Sequence, residues 1–296
     1  MAGEKYDYGI DFDAVDAIDI HAHVEADDHG HHAYDDELIA ATKQYFKLDS
    51  EPTTVDSVAE YYRQRNTAAV VFTIDSRTVS GRPPNSVENL IEGAARNNDV
   101  LIPFGSVDPR KGAEAVERAR VLVSEHGVRG FKLHPSLQAF APNDPACYPL
   151  YEAFSELGVV ALFHTGQTGI GAGLPGGRGI KLRYSDPMLI DDVAADFPDL
   201  QIVMAHPSVP WVDAAISIAT HKANVHMDLS GWLPKYFPPQ LVRQLGTLLR
   251  RKVLFGSDFP VITPDRWMAA FEELEVREEA KPLIFKENAV RLLGLT

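Results

Sequence analysis

The chain has 296 residues, 45% of them apolar, with a formal charge of −14 and a single cysteine. That length and apolar content suffice for a large α/β core, and the acidic balance argues against general nucleic-acid or anionic-membrane binding, both of which call for basic surfaces. One cysteine excludes an internal disulfide framework and fits a reducing compartment.

Met1 through Lys5 lead into acidic residues and not into an apolar run, so no secretory signal is expected, and no window approaches the length of a membrane span. The expected location is the cytoplasm. The first strand-like stretch runs from Ala17 to Val24 and carries His21 and His23 two residues apart. Strand side chains alternate with period two, so both imidazoles project from one face and offer half of a metal site. Residues 24–52 follow, with His29, His31 and His32 set among carboxylates. This segment reads as a solvated excursion, as a metal store, or as an active-site cover of the kind long βα loops build; the cover is the expectation carried forward.

Thr54 or Asp56 caps a helix carrying Val58, Tyr61 and Tyr62, and residues 68–73 form a buried strand. A loop over 75–85 and a helix over 86–97 lead to a third strand, 101–107, which Pro103 weakens. After a helix over 112–125, residues 127–135 form strand four, with Lys132 and His134 on one face. Cys147 sits between Pro145 and Pro149 in a turn before a helix over 150–157, a poor setting for a nucleophile. Strand five then ends at His164. The glycine-rich run 165–179 lacks both the dinucleotide fingerprint and the Gly-Lys-Ser/Thr of a phosphate loop. Its backbone N–H groups, with Arg178, Lys181 and Arg183, either wrap an anion or belong to a lid with incidental basic residues.

Helices over 186–196, 211–220 and 240–249 alternate with strands ending at His206, Leu229 and Asp258, and helices over 266–274 and 282–293 close the chain. This alternation predicts a distorted (β/α)8 TIM barrel, one domain over 1–296, with its active site at the C-terminal ends of the strands. A doubly wound sheet uses similar elements but does not unite the first and last strands. In a barrel, His21, His23, His164 and Asp258 converge into three nitrogens and an oxygen, a set for one zinc ion per subunit, with manganese as the second choice. His206 is then the general acid or base. Lys132 stabilises an oxyanion, meets a substrate carboxylate, or forms a salt bridge with a strand-end acid; His134 contacts substrate or supports a ligand.

Several segments together resemble the amidohydrolase-related branch of metal-dependent TIM barrels: Ile18-Asp19-Ile20-His21-Ala22-His23, Gly130-Phe131-Lys132-Leu133-His134-Pro135, Phe163-His164-Thr165-Gly166, Met204-Ala205-His206-Pro207, Phe255-Gly256-Ser257-Asp258-Phe259-Pro260 and Glu287 through Leu295. The resemblance spans residues 18–295 and implies His21, His23, His164 and Asp258 as ligands, with His206 and Asp258 in catalysis. Binuclear relatives carry a carboxylated lysine on strand four, where Lys132 lies, but the overall pattern resembles the mononuclear members. The branch includes aminocarboxymuconate-semialdehyde and resorcylate decarboxylases, lactone hydrolases and C–C bond hydrolases, and its members are commonly homodimers.

The glycine-rich loop after His164, combined with Ser230 through Phe237, is similar to a bacterial group that hydrolyses aryl β-ketoacyl-CoA thioesters. That resemblance implies metal-activated water attacking the keto carbonyl. The C–C bond then breaks in a reverse-Claisen sense to an aromatic carboxylic acid and acetyl-CoA, and His206 carries the proton. Trp232, Tyr236 and Phe237 would line the aryl pocket, and Arg178, Lys181, Arg183 or Lys235 would meet phosphate at its mouth. The alternatives are nonoxidative decarboxylation of an aromatic or muconate-type acid, and lactone hydrolysis.

Overall fold

A computed structural model describes residues 5–49 and 51–295. The reading of a missing secretory signal rests partly on residues 1–4, outside that range. Among the described residues eight strands occur in chain order: β1 Ala17–His23, β2 Thr67–Phe72, β3 Leu101–Pro103, β4 Gly130–Leu133, β5 Val160–His164, β6 Ile202–Ala205, β7 Val225–Asp228 and β8 Val253–Leu254. All ladders are parallel, and they group as β1-β2-β3 and β4-β5-β6-β7-β8. Two single parallel bridges join the groups, Gly105 to Phe131 and Ala22 to Phe259. The fold is therefore the expected TIM-barrel-like α/β architecture, distorted where the two sheets meet. A Cβ on Gly105 would lie 2.7 Å from the Phe131 ring, so the first junction depends on a residue without a side chain.

Three strands are shorter than their sequence suggests, and β4 covers only Gly130–Leu133 of the 127–135 stretch. β3 stops at Pro103, which has no N–H. β8 stops at Leu254 because the Phe255 N–H donates to the Ile284 carbonyl, at 2.8 Å, in the C-terminal segment. The helix expected over 282–293 divides into a wider π turn, Leu283–Glu287, and an α-helix, Asn288–Leu293. The other helices follow the amphipathic pattern; Thr54, not Asp56, caps Val55–Arg63, in a reciprocal capping box with Ser57. Among the described residues no helix is long and apolar enough to cross a membrane.

Alternate residues separate two cores. Ile18, Ile20, Ala68, Val70, Phe72, Ile102, Phe104, Leu162, Val203 and Leu254 form one buried cluster drawn from strands all round the ring, which is the barrel interior. Ala69, Val71, Phe131, Phe163, Met204 and Met227 pack outward against the helices. Register then assigns the polar residues. Lys132 pairs with Leu162, His226 with Val203 and Asp228 with Leu254, so all three lie on the interior face.

Strict alternation would turn His21 and His23 away from the face that holds Ile18 and Ile20. The β1–β2 register resolves this, because Asp19 pairs with Ala69 and Ala22 with Val71, leaving one extra residue in β1. This bulge reverses the parity. His23 then pairs with the interior residue Phe72, and both histidines enter the barrel mouth.

Candidate metal centre and active site

At the C-terminal end of the ring, His21 Nε2 lies 3.3 Å and His23 Nε2 3.1 Å from Asp258 Oδ1. The ligand atoms of these three residues all fall within 4.8 Å of one another. Asp258 reaches inward because its backbone is left-handed, at φ 70°, and His206 does the same at φ 71°. Such a conformation costs a side-chain-bearing residue about 1–2 kcal/mol and concentrates at functional sites. The chain holds the seam together beneath them: Asp19 accepts from the His21 N–H at 2.9 Å, the Ser257 N–H at 3.0 Å and the Tyr62 hydroxyl at 2.7 Å.

Hydrogen-bond parity fixes the imidazole tautomers. His206 Nδ1 lies 3.0 Å from the Ser230 carbonyl, which only accepts, so that nitrogen carries the proton. Its Nε2 is then the acceptor from His164 Nδ1 at 2.9 Å. That leaves His164 Nε2 with a lone pair, buried and without a protein partner. By the same logic His21 Nδ1 donates to Asp228 Oδ2 at 2.9 Å, while its Nε2 accepts from Lys132 Nζ at 3.1 Å. Ser230 Oγ links the two halves, lying 2.9 Å from both His21 Nδ1 and His206 Nδ1 and donating to Asp228. Gly231 must lack a side chain here: its φ is 75° and a Cβ would stand 2.7 Å from His206 Nδ1.

The electrostatics favour neutral imidazoles beside ionised carboxylates. Burial, with the Lys132 charge, lowers His21 to about 3 against the opposing Asp228. Burial also lowers His164, His134 and His206. Burial alone would raise the Asp258 carboxyl, but the hydrogen bond from His23 and the nearby His21 and His206 outweigh it and hold it well below the usual range. Asp228 behaves likewise, through His21. Lys132 is lowered to about 8 by burial, opposed by Asp228 and Asp258. Two imidazole nitrogens aimed at one carboxylate, with an orphaned third nitrogen nearby, fit a divalent cation. His164 belongs to neither cluster of mutually close ligand atoms, so the three-residue set is more compact than the expected four.

A cavity of about 250 Å³ opens over this floor. Lys132, His134, His164, His206 and Asp258 line its base, and Tyr45, Phe46, Ile74, Ile170 and Trp232 its walls. His134 stacks on His164 with ring centres 3.8 Å apart. From the 24–52 segment, Tyr34, Thr42, Tyr45 and Phe46 reach the cavity, the last three from the helix Asp36–Phe46. The metal-store reading has no support: His31 Nδ1 is taken up by Asp27 at 2.9 Å, and among the described residues no three ligand atoms gather in this segment. Cys147 is buried, with burial raising its thiol to about 12.

Most of the residues expected to contact substrate lie elsewhere. Arg178 is paired with Asp35 and Glu37, each at 2.8 Å, and with Lys181 it lines a separate cavity of about 260 Å³. Arg183 and Lys235 lie over the exposed-side rings of Tyr184 and Tyr236 and line neither cavity. Phe237 is buried beside Trp267 because its ring completes the packing outside the barrel, and Tyr236 is 61% exposed. Of the aromatic trio only Trp232 reaches the cavity. The sequence reading gave Asp228 no role, although it ends a strand in an acid just as Asp258 follows one.

A family model described as amidohydrolase matches residues 18–295. The chain belongs to the amidohydrolase family. As an amidohydrolase it is an enzyme with a candidate site for a divalent metal. Its fold is similar to that of a TIM-barrel protein from Bordetella bronchiseptica, at 22% identity and TM-score 0.76, covering 94% of this chain and 98% of the other. It is also similar to 5-carboxyvanillate decarboxylase from Novosphingobium aromaticivorans, solved with manganese and 4-hydroxy-3-methoxy-5-nitrobenzoic acid, at 14% identity and TM-score 0.67 over 98% and 99% of the two chains. A third similar structure is 2,6-dihydroxybenzoate decarboxylase from Rhizobium, at 16% identity and TM-score 0.62 over 94% and 98%. No curated protein matches the sequence.

Proposed function

We propose that this amidohydrolase is a metal-dependent, nonoxidative decarboxylase of a small aromatic carboxylic acid. The observation that carries the reading is the composition of the cavity: a buried lysine, Lys132, shares its base with the His/Asp cluster, and its walls are aromatic and aliphatic. A ring fits such walls, and an acid's carboxylate fits such a base. The fold likeness to decarboxylases of 5-carboxyvanillate and 2,6-dihydroxybenzoate supports the same choice.

In this reading His21, His23 and Asp258 hold the cation, with His164 Nε2 as the fourth donor. The cation would supply positive charge to orient the carboxylate and stabilise negative charge on ring oxygens. Zinc and manganese both suit this donor set. Lys132 pairs with the carboxylate, and Tyr34, Tyr45 and Phe46 cover the ring and exclude water. His206, with Nδ1 committed to Ser230, first takes up a proton from solvent at Nε2, where the hydrogen bond from His164 gives way, and then passes it on. The ring carbon gains that proton, the bond to the carboxylate carbon breaks with its electron pair returning to the ring, and CO2 leaves. One proton is consumed for each CO2 released, and no oxidant takes part.

A second reading is C–C bond hydrolysis of an aryl β-ketoacyl-CoA. What favours it is the neighbouring cavity, which shares Ala33 and Tyr34 with the first and carries Arg82, Arg178 and Lys181, cations suited to phosphate. Incubating metal-loaded protein with 2,6-dihydroxybenzoate and, separately, with benzoylacetyl-CoA distinguishes the two. CO2 released from the acid with an intact thioester supports decarboxylation; benzoate and acetyl-CoA from the thioester, without CO2 from the acid, would reject it.

A further inference from the structure

His134 follows β4 and opens the short helix Pro135–Gln138, and three contacts fix its place. Its backbone N–H donates to Gln138 Oε1 at 2.7 Å, and the Gln138 amide is itself buried and tied to the Asp75 and Val107 carbonyls, at 2.7 and 2.9 Å. The Leu137 N–H donates to His134 Nδ1 at 3.3 Å. The imidazole lies flat on that of His164, with centres 3.8 Å apart and planes 8° from parallel. Backbone, ring edge and ring face are thus all held.

The Leu137 contact decides the tautomer. A backbone N–H only donates, so Nδ1 supplies the lone pair and the proton of the neutral ring sits on Nε2. Burial and the Lys132 charge lower the His134 pKa, which keeps the ring neutral. Among the described residues nothing accepts from that Nε2–H, and unlike His164 Nε2 it is not sealed within the protein. His134 is 2% exposed and lines the base of the active-site cavity beside Lys132, so its remaining surface opens there.

Resting on the decarboxylase reading, we propose that His134 Nε2–H hydrogen-bonds an oxygen of the substrate carboxylate, as a neutral donor paired with the Lys132 cation. A nitrogen that can only donate selects an acceptor, and the neighbouring lysine makes that acceptor an anion. His134 gives His164 a ring stack but no hydrogen bond, so its one free donor is left for substrate. Lys132 on β4 and His134 just beyond it thereby hold the carboxyl group in one orientation.

The test separates the two ring nitrogens. In His134→Asn the amide oxygen reaches the Nδ1 position and keeps the bond from Leu137, but the cavity donor is lost. In His134→Gln the amide nitrogen reaches the Nε2 position and keeps the donor. Metal-loaded parent and variants are titrated calorimetrically with 2,6-dihydroxybenzoate and with resorcinol, the same ring without the carboxylate. We expect His134→Asn to weaken the acid about tenfold and resorcinol less than about twofold, and His134→Gln to stay within about threefold of the parent for both. Equal weakening of acid and resorcinol, an acid bound as tightly by His134→Asn as by the parent, or His134→Gln losing the acid as badly as His134→Asn would overturn the proposal. Nitrogen NMR of the histidine-labelled parent adds a readout that needs no variant. The proton should lie on His134 Nε2 and its signal should move on adding the acid; a proton on Nδ1, or a signal that the acid leaves in place, would equally overturn it. Donor-dependent binding of the acid without CO2 release would leave the proposal standing and reject the decarboxylase instead.

Discussion

His21 Nδ1 and Asp228 Oδ2 lie 2.9 Å apart, and neither side chain is exposed to solvent. The strand-seven carboxylate therefore fixes the tautomer of the strand-one imidazole and turns its other nitrogen toward Asp258. Partners of this kind typically control metal affinity by about 10–100-fold. Asp228→Asn keeps the shape but removes the charge and the certainty of acceptance. It should weaken metal binding within that range, read by competition with a chromophoric chelator, while circular dichroism stays at the parent spectrum.

Gly231 offers a steric counterpart. A methyl group there meets His206 Nδ1 at 2.7 Å and Asp258 Oδ2 at 3.2 Å, on a backbone already left-handed. Gly231→Ala should displace both side chains and lower turnover on the order of 100-fold, since misplacement by about 1 Å has effects of that size. Steady-state kinetics beside a thermal melt separates this from global unfolding.

The seam between β1 and the segment after β8 rests on Asp19, and its Tyr62 partner gives the gentlest probe. Tyr62→Phe removes the 2.7 Å hydrogen bond and leaves Asp19 with its two backbone donors. The expected loss of stability is about 1–3 kcal/mol by urea denaturation, because the remaining carboxylate oxygen stays buried.

His226 carries a pH prediction. Burial on the interior face of β7, with Lys252 and Arg291 nearby, lowers its pKa to about 3. The native state keeps this imidazole neutral, while the unfolded chain protonates near the ordinary value of about 6.5. Its contribution is therefore fully present above about pH 6.5 and is lost as pH falls toward 3, with a slope of at most about 1.4 kcal/mol per pH unit. His226→Leu should flatten the acid side of a stability-against-pH curve relative to the parent; an unchanged slope would count against a buried neutral histidine.

The barrel was legible in the alternation of strands and helices, and metal-capable side chains end β1 and β5 and follow β8, of which the structure gathers His21, His23 and Asp258 while His164 stands outside that cluster. What the pattern concealed was backbone irregularity. The β1 bulge is invisible to an alternation rule that reads Ile18, Ile20 and His23 separately, and the left-handed residues His206 and Asp258 interrupt strands that look continuous in sequence. Basic residues misled for a different reason. Arg178 has near neighbours in Asp35 and Glu37 that lie more than 140 positions away in the chain, so its charge is already compensated. Phe237 reads as pocket lining in Trp232-Leu233-Pro234-Lys235-Tyr236-Phe237 until the Trp267 ring is placed beside it. Asp228 could have been found by asking which strand besides β1 and β5 also ends in a metal-capable side chain.

The central claim is that His21, His23 and Asp258 together hold a divalent cation. Its most direct test is the metal content, by plasma mass spectrometry, of purified parent protein and of folded His23→Ala and Asp258→Ala variants after exhaustive dialysis against zinc or manganese buffer. We predict about one ion per chain in the parent and a small fraction of that in either variant, because each removes a ligand from a compact site. Equal metal content in all three proteins, or a parent that binds neither ion, would contradict the account.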